Sequence, residues 1–218
     1  MQNVRTLLFY CPKGSEQLTC EKKLEKINAD FALWCKNFIK IMNNENIEVV
    51  FELLPEQKEL VDGLKSGKHH IVLKSRQLGI TTVVSLYYLW KAITIPKTTY
   101  LIASYNEDST KGIAEKLKQM LYSMPAKYKP KILRDNEYEL KFENLSRIVF
   151  KVAGNKDLAR GLTLEGVLLS EFGMYSSEVQ ENAIASTDPC LSKNNTSTFV
   201  VESTAKQGTS DYFYKLFM

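Results

Sequence analysis

The sequence lacks several features that would set it apart from ordinary globular proteins. Its four cysteines form no Cys-x-x-Cys pair and only two histidines accompany them, so we do not expect a zinc site. No apolar run approaches the roughly 20 residues that a membrane-spanning helix needs, and no secretory signal opens the chain. These absences predict an intracellular soluble protein whose thiols stay free.

What is present suits a folded domain with a mildly basic surface. The 218 residues are 44% hydrophobic and 25% charged, which excludes a disordered or low-complexity chain and allows one large domain. The net charge of +4 permits a nucleic-acid partner without requiring one.

Predicted strands and helices alternate along most of the chain. Apolar residues at helical spacing run through 21–42, and a helix is predicted from Pro55 to Lys65. Predicted strands follow at 71–73, 98–103, 166–169 and 198–201, with a hairpin at 138–142 and 147–152. Predicted helices cover 81–92, 108–123, 179–186 and the segment from Asp211. This alternation indicates an α/β fold with a mostly parallel central sheet flanked by helices.

The segment from His69 to Trp90 has the layout of a phosphate-binding loop: a strand, a polar turn and a helix. Backbone N–H groups of such a turn and the start of the helix both favour a bound phosphate. Thr81 provides a hydroxyl for magnesium, but Ile80 stands where lysine is usual. We predict that Lys74 supplies the missing charge through its long side chain, with help from Arg76. Taken alone, the pattern fits an ordinary strand–helix turn equally well.

Other polar residues stand where an ATPase needs them. Glu171 ends an apolar strand, at the edge where α/β sheets bind ligands, and a glutamate there can activate water. The residue before it is Ser170, where an acid is usual. Arg160 lies beside a glycine and is a candidate arginine finger. The amide of Gln57 can both donate to and accept from adenine. The simpler interpretations are a charged strand end, a surface arginine and a solvated glutamine.

A last apolar strand ends in Glu202, Ser203 and Thr204. The two hydroxyls can sense the γ-phosphate or the attacking water, although a polar strand end is the simpler interpretation. The order along the chain is adenine reader, phosphate loop, arginine, glutamate and hydroxyl sensor. That order, rather than any one motif, favours a nucleotide hydrolase.

Four segments resemble the large terminase subunit of tailed bacteriophages, the motor that packages viral DNA. They are FALWCKNFIKI…FELLPEQKEL, SRQLGITT, DLARGLTLEGVLLSEFGMY and ESTAKQG…YFYKLF, and the resemblance spans roughly residues 30 to 218. It implies a P-loop NTPase fold of the additional-strand (ASCE) type for residues 51–218. Residues 1–50 would form a helical lead-in or lid, and the nuclease domain of this family would be absent from this chain.

The resemblance also implies roles for individual residues. Those expected to bind ATP are Gln57, Lys74, Ser75, Arg76, Gln77, Leu78, Gly79, Ile80, Thr81 and Thr82. Those expected to act in catalysis are Lys74, Arg76, Arg160 and Glu171, with Glu171 as the base that orients water. Thr81, Ser170 and Glu171 would hold Mg²⁺ through water, and Ser203 and Thr204 would couple hydrolysis to motion. Because Ser170 is neutral, weaker metal binding or low activity is expected.

The implied function is ATP hydrolysis that translocates double-stranded DNA into a procapsid, with ATP and Mg²⁺ as cofactors. The implied partners are DNA, a portal protein and a small terminase subunit, with a homo-oligomeric ring on the procapsid, in the cytoplasm of an infected bacterial host and away from membranes. Two alternatives stay open: a helicase-like DNA-dependent ATPase, and a degenerate nucleotide-binding domain without hydrolysis, which Ile80 and Ser170 favour. The basic run Lys127, Lys129, Lys131 and Arg134 can contact DNA backbone, but short basic loops usually only contact solvent.

Overall fold

The computed structural model describes residues 15–43, 45–155, 157–205 and 212–217. The helices of these ranges are α1 (Ser15–Ala29), α2 (Phe31–Phe38), α3 (Pro55–Lys65), α4 (Ile80–Thr94), α5 (Glu107–Ser123), α6 (Ser177–Thr187) and α7 (Tyr212–Phe217). The strands are β1 (Lys40–Met42), β2 (Glu48–Val50), β3 (Lys68–Lys74), β4 (Thr99–Ser104), β5 (Ile132–Asp135), β6 (Glu139–Phe142), β7 (Arg147–Val152), β8 (Gly166–Ser170) and β9 (Thr198–Thr204). The chain divides into two compact units, Met1–Leu53 with Lys118–Lys131, and Leu54–Leu117 with Ile132–Met218.

The first unit corrects the expectation of continuous helical structure over 21–42. Asp30 divides the segment, because its side chain accepts a hydrogen bond from the Leu33 backbone N–H at 2.8 Å and caps the start of α2. After Phe38 the chain becomes extended, and β1 pairs antiparallel with β2. Helical spacing alone did not reveal this break, since the half-buried Ile27 and the buried Phe31 lie on either side of Asp30 at helical spacing.

The second unit is built on a seven-stranded sheet in the order β3-β9-β8-β4-β7-β6-β5. Strands β3, β9, β8, β4 and β7 are parallel to one another, and β6 runs antiparallel to both of its neighbours. Strand β9 lies between β3 and β8, which makes it the additional strand that separates the phosphate-loop strand from the acid-tipped strand. The sequence prediction of a mostly parallel α/β sheet of the additional-strand P-loop type is confirmed.

Both faces of this sheet are covered, which explains its continuous apolar strands. On one face, Tyr88 of α4 stacks on Tyr100 at 5.1 Å between ring centroids and donates a hydrogen bond to the Val167 carbonyl at 2.8 Å. On the other face, the alternate residues of β8 and β9 pack with Phe213 of α7 and Ala183 of α6. The carboxyl ends of β3, β8 and β9 therefore meet at one edge of a rigid layer.

The sequence prediction missed β5, whose residues are mostly exposed. Its Arg134 lies 2.6 Å from Glu139 of β6, and Arg147 of β7 approaches the same carboxylate at 3.3 Å. Burial alone would raise the pKa of Glu139, but the hydrogen bonds from the two arginines outweigh it and lower the pKa below its usual value. No helix in the described ranges is long and apolar enough to cross a membrane.

Candidate active site

The turn between β3 and α4 has the backbone of a ligand-binding loop. Gln77 and Gly79 both adopt positive φ, 65° and 66°, a conformation that glycine enters without strain. A Cβ atom at position 79 would come within 3.0 Å of the Gln57 side-chain nitrogen, so the position also needs a small residue. Ser75 and Arg76 are exposed. The loop is therefore held tightly at its end and open at its start.

Lys74, the last residue of β3, is the centre of the site. Its Nζ donates a hydrogen bond to the Thr81 hydroxyl at 2.9 Å. The same atom lies 3.2 Å from a Glu171 carboxylate oxygen and 2.6 Å from a Glu202 oxygen. The Lys74 side chain is only 9% exposed, so these contacts hold its charge at the start of α4.

Ile80 is the first residue of α4, and its apolar side chain is buried in the core. It therefore offers no charge to the site. Thr81 and Thr82 follow it and are half-buried, as is Leu78 before it. The lysine that such loops usually carry after the glycine is replaced here by a side chain that packs inward. Positive charge reaches the Thr81 hydroxyl from β3 instead.

Glu202 is the site residue that sequence reasoning did not assign. Its side chain is fully buried at the end of β9, and one carboxylate oxygen accepts hydrogen bonds from the Thr81 hydroxyl at 2.7 Å and the Ser170 hydroxyl at 2.6 Å. The signal for it was the same as for Glu171: an acidic residue at the end of an apolar strand.

Glu171 follows β8 in the left-handed conformation, with φ 54°. That conformation is uncommon and costly outside glycine, and it is concentrated at functional sites. It leaves the Glu171 side chain 31% exposed and in contact with Lys74. Burial, together with the negative charges of Glu202 and Glu171, raises the pKa of Tyr175 well above its usual value. The Tyr175 phenol therefore stays protonated and donates to the Ser170 carbonyl at 3.0 Å.

Gln57 lies beside the phosphate loop, buried in the first turn of α3. Its side-chain nitrogen donates to the Leu78 carbonyl at 2.8 Å, and its side-chain oxygen accepts from the Leu54 backbone N–H at 3.0 Å. The amide thus joins α3 to the loop. The prediction that it reads adenine is not tested by these contacts.

The remaining predicted residues lie at different depths. Ser203 is buried, and its hydroxyl accepts from the Gly173 backbone N–H at 3.0 Å, which joins the end of β9 to the turn after Glu171. Thr204 pairs in register with Lys74. Arg160 is 81% exposed and lies 3.2 Å from Asp157, so the structure pairs it with its own turn.

The basic run is held by contacts within the chain. Lys127 lies over the Tyr128 ring, at 5.5 Å from its centroid. The Lys129 ammonium group donates to the Tyr122 backbone carbonyl at 3.0 Å and lies over the Tyr122 ring. A role of this run in binding DNA stays a prediction.

The oxygen atoms of the site suit Mg²⁺ bound together with a nucleotide. Within the described ranges, no three or more His, Cys, Asp or Glu side chains are grouped so that they could hold a metal ion by themselves. Magnesium in nucleotide sites needs only one or two protein ligands, because phosphates and water supply the rest. The hydroxyls of Thr81 and Ser170 and the carboxylates of Glu171 and Glu202 provide that kind of ligand.

Comparison with known proteins finds similarity at the level of structure. No family model and no curated protein sequence matches the chain. The large terminase of bacteriophage HK97 is similar over 84% of this chain and 39% of its own, with a TM-score of 0.66 and 13% identity. A variant of the large terminase ATPase domain of Thermus phage P74-26 is similar over 74% of this chain and 68% of its own, with a TM-score of 0.55 and 19% identity.

The UvsW helicase of bacteriophage T4 is similar over 92% of this chain and 72% of its own, with a TM-score of 0.50 and 11% identity. The chain thus spans about two fifths of the HK97 terminase. Because these identities are below 25%, the structural similarity shows a shared fold alone, and the sheet order described above belongs to that fold.

Proposed function

We propose that this chain is the ATPase domain of a phage large terminase subunit, which hydrolyses ATP to drive double-stranded DNA into a procapsid. The observation that carries the proposal is the position of Lys74. Its ammonium group lies between the Thr81 hydroxyl at 2.9 Å and the Glu171 carboxylate at 3.2 Å. A cation, a hydroxyl and a glutamate beside the start of a helix are the parts that phosphoryl transfer needs.

In this proposal the chain acts mainly by positioning and by charge. Backbone N–H groups of residues 75–81 bind the phosphates, and Lys74 turns from its carboxylates to the β- and γ-phosphates. Arg76, exposed in the loop, adds a second cation. Mg²⁺, when bound with ATP near Thr81, neutralises charge on the phosphates. Glu171 accepts a proton from the attacking water and orients it.

The other predicted residues are assigned to recognition and coupling. Gln57 would sense the adenine and transmit its presence to the loop through Leu78, the carbonyl that it already contacts. Ser203 and Thr204 would couple hydrolysis to motion, because the Ser203 contact with Gly173 lies two residues after Glu171. Arg160, being exposed, would serve a neighbouring subunit of a ring.

The proposed setting is the packaging machine of a phage in the cytoplasm of an infected bacterium. Its partners would be double-stranded DNA, a portal protein and a small terminase subunit. The fold shared with the HK97 and P74-26 terminases supports this setting.

Magnesium-dependent ATP hydrolysis tests the proposal. We expect turnover by the wild type, and we expect Glu171→Gln to bind ATP normally while losing about 100-fold or more of its turnover, the usual contribution of a general base. A matched control is Glu178→Gln on the exposed first turn of α6, which should keep wild-type turnover. ATP binding without hydrolysis by the wild type would instead support the degenerate nucleotide-binding domain.

A helicase-like ATPase is the second candidate, because the T4 UvsW helicase shares the fold. The two candidates differ in what ATP hydrolysis does to DNA. Strand separation of a tailed duplex by this domain would favour the helicase, whereas ATPase stimulation by blunt duplex without strand separation would favour the packaging motor.

A further inference from the structure

Glu202 is a fully buried carboxylate at the end of β9. It lies level with Ser170 on β8 and with Val72 on β3 in the strand register, which brings it to the edge of the sheet where the phosphate loop begins. Its side chain is 0% exposed. Burying a carboxylate is costly unless it is paired and hydrogen-bonded.

The contacts of Glu202 differ between its two oxygen atoms. One oxygen accepts hydrogen bonds from Thr81 and Ser170. The other lies 2.6 Å from Lys74 Nζ, yet it has no hydrogen bond of acceptable geometry to any described residue. Among the described residues, this second oxygen therefore depends on the Lys74 ammonium group for its partner.

The cluster of Lys74, Glu171 and Glu202 contains more negative than positive side chains, so it favours a further cation. Lys74 contacts two carboxylates, Glu202 and Glu171, so the three side chains in their usual ionised forms are negative overall. A nucleotide adds more negative charge to the same place. When Lys74 turns to the phosphates, Glu202 loses its cation, and an unpaired buried carboxylate is strongly destabilising. A divalent cation beside Glu202 would both offset the excess negative charge and pair with the buried carboxylate.

We propose that Glu202 is the carboxylate that binds the magnesium ion of the nucleotide, and that the Ser170 hydroxyl holds it in position. The inference rests on the proposed nucleotide site. It moves the acidic ligand from β8 to the neighbouring strand β9. The strand register explains why Ser170 is not itself acidic, since two carboxylates side by side would repel each other.

The experiment measures the affinity of a non-hydrolysable ATP analogue by calorimetry, with excess Mg²⁺ and with EDTA. The ratio of the two affinities is the readout, and it does not depend on turnover. We expect Mg²⁺ to tighten binding by the wild type. We expect Glu202→Gln to lose about tenfold or more of that ratio while binding the metal-free analogue at least as tightly, because a negative charge has gone.

Three further variants sharpen the result. Ser170→Asp combined with Glu202→Gln places the carboxylate on the neighbouring strand β8 instead and should restore most of the ratio. Glu202→Asp keeps the buried charge as a partner for Lys74 but withdraws it by one methylene, so it should fold and lose part of the ratio. Glu139→Gln removes another largely buried, ion-paired carboxylate and should leave the ratio unchanged.

Different failures have different meanings. A wild-type ratio in Glu202→Gln, or in Glu202→Asp if the first variant does not fold by circular dichroism, would overturn the assignment of Glu202 and leave the nucleotide site intact. Absence of nucleotide binding by the folded wild type, with or without Mg²⁺, would overturn the proposed function itself.

Discussion

Lys74, the last residue of β3, is the residue that we propose supplies the charge of the phosphate loop. Phosphate loops usually carry a lysine at the position that Ile80 occupies here, six residues after Lys74. Ile80 instead packs into the core. The flexible lysine side chain makes this exchange possible, because its ammonium group can reach the same hydroxyl from either end of the loop. In the structure the Lys74 ammonium group donates to the Thr81 hydroxyl at 2.9 Å, and its role in binding phosphate stays a prediction.

The first residue-scale prediction concerns stability without nucleotide. Lys74→Met should lower the free energy of unfolding by about 3–5 kcal/mol, because it leaves the Glu202 carboxylate buried without a cation. Lys74→Met combined with Glu202→Gln should recover most of that loss, since the charge that needed a partner is also removed. Urea unfolding followed by circular dichroism measures both. Losses that simply add in the double variant would show that the two side chains are not coupled.

At the scale of elements, the turn from β3 to α4 depends on the glycine at its end. The left-handed backbone at Gly79 ends the turn and lets α4 begin with its first N–H groups facing the loop. The close approach of Gln57 adds a second constraint. The loop and α3 are thereby joined by one amide, which is how a ligand at either element would affect the other.

Gly79→Ala should therefore lower the free energy of unfolding by about 1–2 kcal/mol, from the left-handed backbone alone, and should weaken binding of the ATP analogue. Gly112 provides the matched control: it lies inside α5 and a Cβ there would meet nothing within 4 Å. Gly112→Ala should raise the free energy of unfolding by about 0.5–1 kcal/mol and leave nucleotide affinity unchanged. Equal effects of the two substitutions in thermal unfolding would contradict a special role for the loop.

At the scale of the whole molecule, the sheet determines which residues share the site. Lys74 ends β3, Glu202 lies on β9 and Glu171 directly follows β8, and β9 must lie between the other two strands for all three residues to meet. Nucleotide binding should therefore stabilise the sheet unit as a whole rather than one loop.

We expect a saturating ATP analogue with Mg²⁺ to raise the melting temperature. At 100 times its Kd a ligand adds about 2.7 kcal/mol, which corresponds to about 5–10 °C for a chain of this size. Differential scanning fluorimetry measures the shift, with EDTA as the comparison. An unchanged melting temperature at saturating nucleotide would contradict binding to the folded state.

The sequence by itself predicted the alternation of strands and helices, which the structure confirms, and a phosphate loop with Lys74 in place of its usual lysine, which stays a prediction. These features are local, since they depend on hydrophobic periodicity and on what a turn of the backbone can bind. The sequence prediction missed the break at Asp30 and the strand β5, because a helix cap and an exposed edge strand leave little periodic pattern of apolar residues.

Only the tertiary structure decided that Glu202 lies beside Lys74, Thr81 and Ser170. Glu202 and Thr81 are 121 positions apart along the chain, and their contact depends on the order and register of parallel strands. Both are set by how the whole sheet buries its two faces under helices. No local pattern contains that information, which is why Ser170 looked like a missing acid until its neighbouring strand was in place.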